Sequence, residues 1–204
     1  EEQSHFYGYE FGKSVYSSSE ESFARMPRFR LNDSSASQWT TPANIMPDTI
    51  PLYRQAAVFY ANAQGQLQAV DFQTGATKWV SSAIPPGPLE SPVWVQGVLY
   101  VATDMGQLYA ISPVDGSAIW DNPVTFPSGQ SLTTPQLGVG FVSAVNQQQS
   151  VLYVMDQQNL YLVPLTGQNG APPSPQTVYT APSGTTMGTS LVYDATTGFM
   201  VLNT

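Results

Sequence analysis

From Ile50 onward the chain is patterned in short apolar stretches, rich in Val, Leu and Tyr, that alternate with polar positions or run as blocks between Gly-containing polar dipeptides. This pattern predicts strands, because a helix would return its apolar residues every three or four positions. The stretches also repeat. Ile50-Pro51-Leu52-Tyr53-Arg54-Gln55 lies over Ser91-Pro92-Val93-Trp94-Val95-Gln96 at an offset of 41 residues, and the register holds without a gap. Phe59-Tyr60-Ala61 falls on Tyr100-Val101-Ala102, Gly65-Gln66-Leu67 on Gly106-Gln107-Leu108, Gly75 on Gly116 and Trp79 on Trp120. A third copy starts near Thr134-Pro135, loosened by an insertion at Ala144–Gln149 and a Pro-rich stretch at Ala171–Pro175. A fourth begins at Thr189, turns at Thr197-Gly198 and is expected to stop after its third strand.

Each copy reads as four short strands. In the second they are expected at Val93–Val95, Val98–Thr103, Gln107–Ser112 and Ala118–Trp120, joined at Gln96-Gly97, Met105-Gly106 and Asp115-Gly116, where Gly supplies φ > 0. A lone four-stranded meander leaves its faces uncovered, whereas meanders packed face to face cover one another. The expected fold is therefore an all-β β-propeller of four-stranded antiparallel blades, with about 3.5–4 blades present. The copies divide as 50–90, 91–133, 134–188 and an incomplete 189–204. Trp79 and Trp120 are expected between blades, as core and not as ligand platforms.

The arrangement Gly65-Gln-Leu-Gln-Ala69…Asp71…Thr74-Gly75…Trp79, repeated as Gly106-Gln-Leu-Tyr-Ala110…Asp115-Gly116…Trp120, resembles the quinoprotein-type (PQQ-like) propeller repeat. The resemblance covers about 155 residues. It implies the fold, and it allows two kinds of function. The family holds quinone-dependent dehydrogenases, and it holds non-catalytic scaffolds of envelope and surface assemblies. The matching residues are fold markers and none is a cofactor ligand. Family members usually close with seven or eight blades, so the plainer expectation is that the chain is a portion of a larger ring. A closed four-bladed ring would need 189–204 to join a degenerate half-blade at Arg28–Asp33, with Trp39 forty residues before Trp79.

Residues 1–49 fit the repeat poorly and are expected to form an arm. Its aromatic cluster runs from His5 to Phe11, and a short helix from Ser18 to Met26 is stopped by Pro27. Asn32-Asp33-Ser34 has the form of an N-glycosylation site.

Composition narrows the chemistry. The 204 residues carry a net charge of −8, with charged residues at 10% and no Cys. After Arg54 the chain has seven acids and a single base, Lys78. Such a surface repels phosphates, so nucleic acid is not an expected partner, and Arg25, Arg28 and Arg30 read as a solvated basic patch. Thiolate metal sites and disulfides are excluded. No apolar run is long enough to span a bilayer as a helix. The chain begins at Glu1 without an initiator Met, as a processed protein or a fragment would. His5 is the sole histidine, so a Ser–His–Asp triad or a His-based metal site has almost nothing to build on. Asp71, Asp104 and Asp115 sit at turn positions, where Asp commonly caps the backbone. A calcium-binding turn at Asp194–Gly198 is conceivable but lacks acid density.

No catalytic, cofactor or metal residues are assigned. The expected function is a non-catalytic, extracytoplasmic propeller module (periplasmic, cell-surface or secreted) that binds a protein partner in an envelope, pilus or adhesin assembly. The loops Ser81–Glu90, Asn122–Leu132 and Gln168–Thr186 are its candidate contacts. The rivals are a quinone-dependent oxidoreductase fragment and a surface domain that binds glycan.

Overall fold

The alternating stretches do form strands. The computed structural model describes residues 45–46, 49–165, 170–188, 191–194 and 199–202, and none of these is helical. In the unit 1–91, β1 (Leu52–Arg54), β2 (Ala57–Ala61), β3 (Leu67–Asp71) and β4 (Thr77–Val80) form one antiparallel sheet in that order. The unit 92–204 holds a second such sheet of β5 (Val93–Val95), β6 (Val98–Ala102), β7 (Gln107–Ile111) and β8 (Val124–Thr125). A third consists of β9 (Gln136–Val142), β10 (Gln147–Met155), β11 (Asn159–Pro164) and β12 (Gln176–Thr180). A hairpin of β13 (Leu191–Asp194) and β14 (Phe199–Leu202) follows. This is an all-β fold of four-stranded antiparallel propeller blades, with three complete blades and one hairpin of a fourth among the described residues.

The turns explain why the register repeats. At the first hairpin Gln55 and Ala56 take φ of 50° and 57°, and Gln96 and Gly97 take 49° and 85°. Both central residues are left-handed, the geometry whose twist matches the flanking strands. At the second hairpin Gly65 and Gly106 have φ of 74° and 67° and lie against glycines of a later loop. A Cβ on Gly65 would stand 2.5 Å from the backbone N of Gly87, and one on Gly106 would stand 2.9 Å from Cα of Gly129. The loop after the last strand therefore folds back onto the hairpin of its own blade, and Gly is needed for both the dihedral and the close approach.

Four expectations are corrected. The fourth strand of the second blade does not run cleanly through Ala118–Trp120. Ala118 makes an isolated bridge to Ile111, Pro123 (which has no N–H) follows, and pairing resumes as β8 opposite Gln107 and Leu108. The stretch Gln168–Thr186 is not one loop, for it contains β12 paired to β11. The insertion is wider than Ala144–Gln149, because β9 and β10 gain four further residue pairs from Val139↔Ser150 to Val142↔Gln147. Among the described residues the final copy shows two strands, paired from Leu191↔Leu202 to Asp194↔Phe199, where three were expected.

Each blade contributes apolar side chains on both faces, so β2, β6 and the inner half of β10 are continuously buried. Tyr100, Leu108 and Trp120 of the second blade cluster with Leu152, Val154 and Tyr161 of the third. The third blade's other face (Val151, Tyr153, Leu160 and Leu162) clusters with Met187 and Leu191. Each fully buried side chain of this size contributes about 1.5–3 kcal/mol. In the unit 1–91, Val58, Tyr60, Val70 and Phe72 form a cluster with Ile45. Ile45 bridges Asn62, and the Met46 N–H donates to the Ala61 carbonyl at 2.8 Å. The expected helix, the aromatic cluster from His5 to Phe11, the half-blade at Arg28–Asp33 and Trp39 lie outside the described residues.

Candidate functional site

The repeat position that ends the second strand carries an oxygen acceptor in each of the three four-stranded blades. Asn62, Thr103 and Asp156 are all buried there, at 3%, 5% and 3% exposure. Asn62 Oδ1 accepts from the N–H groups of Gln64 and Gln66, both at 3.0 Å. Thr103 Oγ1 accepts from those of Met105 and Gln107 at 3.3 Å. Asp156 Oδ1 accepts from Gln158 at 2.7 Å and Asn159 at 2.6 Å. Each therefore closes its own hairpin with a local side-chain bond.

Asp156 does more than its counterparts. Its second oxygen accepts from Ser128 Oγ at 2.6 Å and from the Tyr161 hydroxyl at 2.9 Å. Ser128 belongs to the loop after β8, so this carboxylate joins the second blade to the third. Burial pushes its pKa up, but the hydrogen bonds from Ser128, Gln158, Asn159 and Tyr161 outweigh burial and hold it below the ordinary value of 3.8. Burial, then the bond to this anion and its charge, pushes the Tyr161 hydroxyl up to about 12. The same seam carries the Phe126–Tyr161 ring contact at 4.7 Å. Leu132 N donates to the Thr103 carbonyl at 3.2 Å, and Thr133 N to the Met155 carbonyl at 2.8 Å, so adjacent residues bond neighbouring blades. With four donors on two oxygens, Asp156 is a saturated structural anion and has no lone pair directed at a ligand.

The residues singled out from the sequence fall as follows. Trp79 and Trp120 are buried, with ring centroids 5.8 Å from Phe59 and 5.7 Å from Tyr100, as core and not platform. Asp71 caps its turn, accepting from the Gln73 N–H at 3.0 Å, the Thr74 N–H at 2.9 Å and the Thr74 hydroxyl at 3.0 Å, with Lys78 at 3.7 Å. Asp115 accepts from the Ser117 hydroxyl at 2.7 Å and its N–H at 3.1 Å. The Thr74 bonds hold Asp71, and the Ser117 and Ser112 hydroxyls hold Asp115, below the usual carboxylate range. Asp104 is exposed on the turn between β6 and β7. His5, Arg25, Arg28, Arg30 and Asn32 lie outside the described residues, as do 195–198 of the proposed calcium turn. Sequence reasoning counted Asp156 as one charge among many. The signal that could have found it is the repeat register, which aligns it with Asn62 and Thr103.

The candidate loops are partly structural. Within Ser81–Glu90, Ser81, Ile84 and Leu89 are buried, while Pro85, Pro86 and Pro88 are exposed. Within Asn122–Leu132, Val124, Phe126 and Leu132 are buried. Pro182–Thr186 is exposed throughout. A bound quinone with its calcium would need carboxylate and amide oxygens converging on one cavity. Among the described residues no three His, Asp or Glu are placed to hold a metal ion. Asp71 and Asp115 bond within their own turns, and Asp156 bonds its turn together with Ser128 and Tyr161. The described residues thus do not fit that group.

Repeat register, blade topology and turn chemistry together define a β-propeller protein of the PQQ-like repeat class. A family model described as outer membrane protein assembly factor BamB matches residues 29–200, and the chain belongs to that family. No curated protein matches it in sequence. Similar solved structures include two computationally designed proteins. Ika4 has 9% identity over 76% of this chain and 88% of its own, with a TM-score of 0.51. Ika8 has 9% identity over 79% of this chain and 45% of its own, with a TM-score of 0.52. A quinohemoprotein alcohol dehydrogenase of Pseudomonas putida HK5 has 12% identity, with 83% of this chain covering 33% of that one at a TM-score of 0.51. At these identities the likeness is one of fold, and the chain spans about a third of the dehydrogenase.

Proposed function

We propose that this chain is a non-catalytic, extracytoplasmic propeller module that binds a protein partner in a cell-envelope or surface assembly. The observation that carries this reading is the use made of its carboxylates. Asp71, Asp115 and Asp156 direct oxygens to turn N–H and hydroxyl groups, which supports a structural role for those anions. Membership of a family described by an assembly factor supports the same reading. The partner contacts are assigned to the exposed, uncharged loop positions Pro85, Pro86, Pro88 and Pro182–Thr186. A photo-crosslinker at Pro86 or Thr185 is expected to trap a defined envelope protein in intact cells, and the purified chain is expected to be inert toward alcohols with added quinone and calcium. A quinone-dependent turnover, with its visible absorption band and no crosslinked partner, would replace this reading with an oxidoreductase.

A further inference from the structure

The insertion in the third blade builds a surface that no other described hairpin has. Strand β9 is seven residues long where β1 and β5 have three, and it forms one edge of its sheet, in the order β12-β11-β10-β9. No strand among the described residues pairs with its outer edge. Leu137, Val139 and Phe141 are 47%, 51% and 52% exposed, while Gly138, Gly140 and Val142 between them are buried. The register sets Leu137 opposite Leu152, so the stripe continues, beyond the covered part, the face that packs on the second blade. The buried side is held flat. A Cβ on Gly140 would collide with Leu162, and the Tyr153 hydroxyl donates to the Val139 carbonyl at 3.1 Å.

Natural sheet edges are usually blunted by charge, Pro or a bulge. Residues 136–150 contain no charged residue and no Pro, and β9 pairs with β10 without a register shift. An undefended edge with an alternating apolar stripe is an acceptor for another strand. The identity of that strand is written in β9 itself. Leu137-Gly138-Val139-Gly140-Phe141 is nearly symmetric about Val139. An antiparallel copy centred there sets Val139 beside Val139, each Leu137 beside a Phe141, and each Gly138 beside a Gly140. Self-complementarity of this kind is what a twofold interface requires. Charge points the same way. Residues 92–204 hold five acids and no base, so contacts between these parts of two copies meet least repulsion at the uncharged hairpin.

We infer that two copies of this chain associate by antiparallel pairing of their β9 edges about Val139. The four added residue pairs lengthen the hairpin by roughly 13 Å, which gives the second copy clearance. One strand pair buries less than a standard interface of about 1,600 Å², so the dimer is expected to be weak, at the micromolar end or above.

The test is sedimentation velocity of the full chain from about 1 to 300 µM, a range chosen to bracket that weak affinity, with a charge swap at the exposed symmetric position. Wild type is expected to shift from monomer to dimer across the range. Val139→Lys alone and Val139→Glu alone are each expected to stay monomeric, because like charges meet at the axis. An equimolar mixture of the two is expected to dimerise at least as well as wild type. Circular dichroism confirms that both variants fold. A wild type that stays monomeric at every concentration overturns the inference, and so does either variant dimerising alone as wild type does. A mixture that stays monomeric rules out pairing at Val139. Hydrogen-exchange protection of β9 that arises only with a different protein bound would assign the edge to a foreign strand.

Discussion

At the scale of single residues, stability in this fold is set by which atom sits at a turn. Asp156 shows the largest stake, since Ser128, Tyr161, Gln158 and Asn159 all donate to it. Asp156→Ala leaves four donors without an acceptor in a buried seam and is expected to cost about 3–5 kcal/mol, read as a fall in the urea midpoint. Asp156→Asn retains one acceptor oxygen, and both hydroxyls can rotate to accept from the new amide, so its cost is expected to be about half of that or less. The pH dependence has a definite sign. A carboxylate held below its ordinary 3.8 stabilises the fold above that value and loses the contribution as pH falls through the lower, folded value. The gap between wild type and Asp156→Asn is therefore expected to be full near neutrality and to close in strong acid. A gap that widens on acidification would contradict the assignment. Ala56 offers a test of opposite direction. It holds φ of 57° at an exposed hairpin position where the next repeat has Gly97 at 85°. Ala56→Gly is expected to stabilise by about 0.5–1 kcal/mol, because the left-handed strain removed exceeds the extra chain entropy lost.

At the scale of elements, two glycine substitutions separate packing from dihedral strain. Gly65→Ala meets both penalties, with φ of 74° and the Gly87 backbone N 2.5 Å from the new Cβ. Gly97→Ala meets one, with φ of 85° and nothing within 4 Å. The first is expected to cost well over 2 kcal/mol and the second about 1 kcal/mol, measured as paired denaturation midpoints. The same contrast shows what could be read from the chain beforehand. Gly65 and Gly106 stood in register with their Leu and Trp companions, so the hairpins, the four-strand blade and the buried Trp79 and Trp120 were legible as a repeat. A repeat reports what its copies share. Departures from it are set by tertiary contacts, and these were missed. Pro123 breaks the last strand of the second blade, while Gly170, far along the chain, bridges Trp120 there. Residues 139–142 and 147–150 extend a hairpin instead of forming a loop. The polar seam was hidden for a related reason. Asp156 is read correctly only beside Ser128, and Ser128 lies in a loop the repeat does not fix.

At the scale of the whole molecule, charge is the term that local packing cannot offset. The chain stands at −8, and beyond Arg54 seven acids face one base. Lys78 lies 3.7 Å from Asp71. Seven acids against one base leave that stretch at −6, and this net charge acts as long-range repulsion whatever local contacts each acid makes. Such repulsion disfavours the compact state, because folding brings the charges closer than they stand in an extended chain. Screening acts on this term before it acts on buried contacts. The screening length falls from about 30 Å at 0.01 M salt to about 10 Å at 0.1 M, which is shorter than the span of a blade. Raising sodium chloride from about 10 to 200 mM is therefore expected to raise the unfolding temperature by roughly 2–4 °C, the shift that about 1 kcal/mol gives in a domain of this size. The measurement belongs at about 1 µM protein or below, where the weak self-association inferred above contributes nothing to apparent stability by mass action. A melting temperature that stays flat or falls with salt would show that the acids are already offset by contacts within the fold, in which case the uncharged hairpin would lose its standing as the surface where two copies meet with least repulsion.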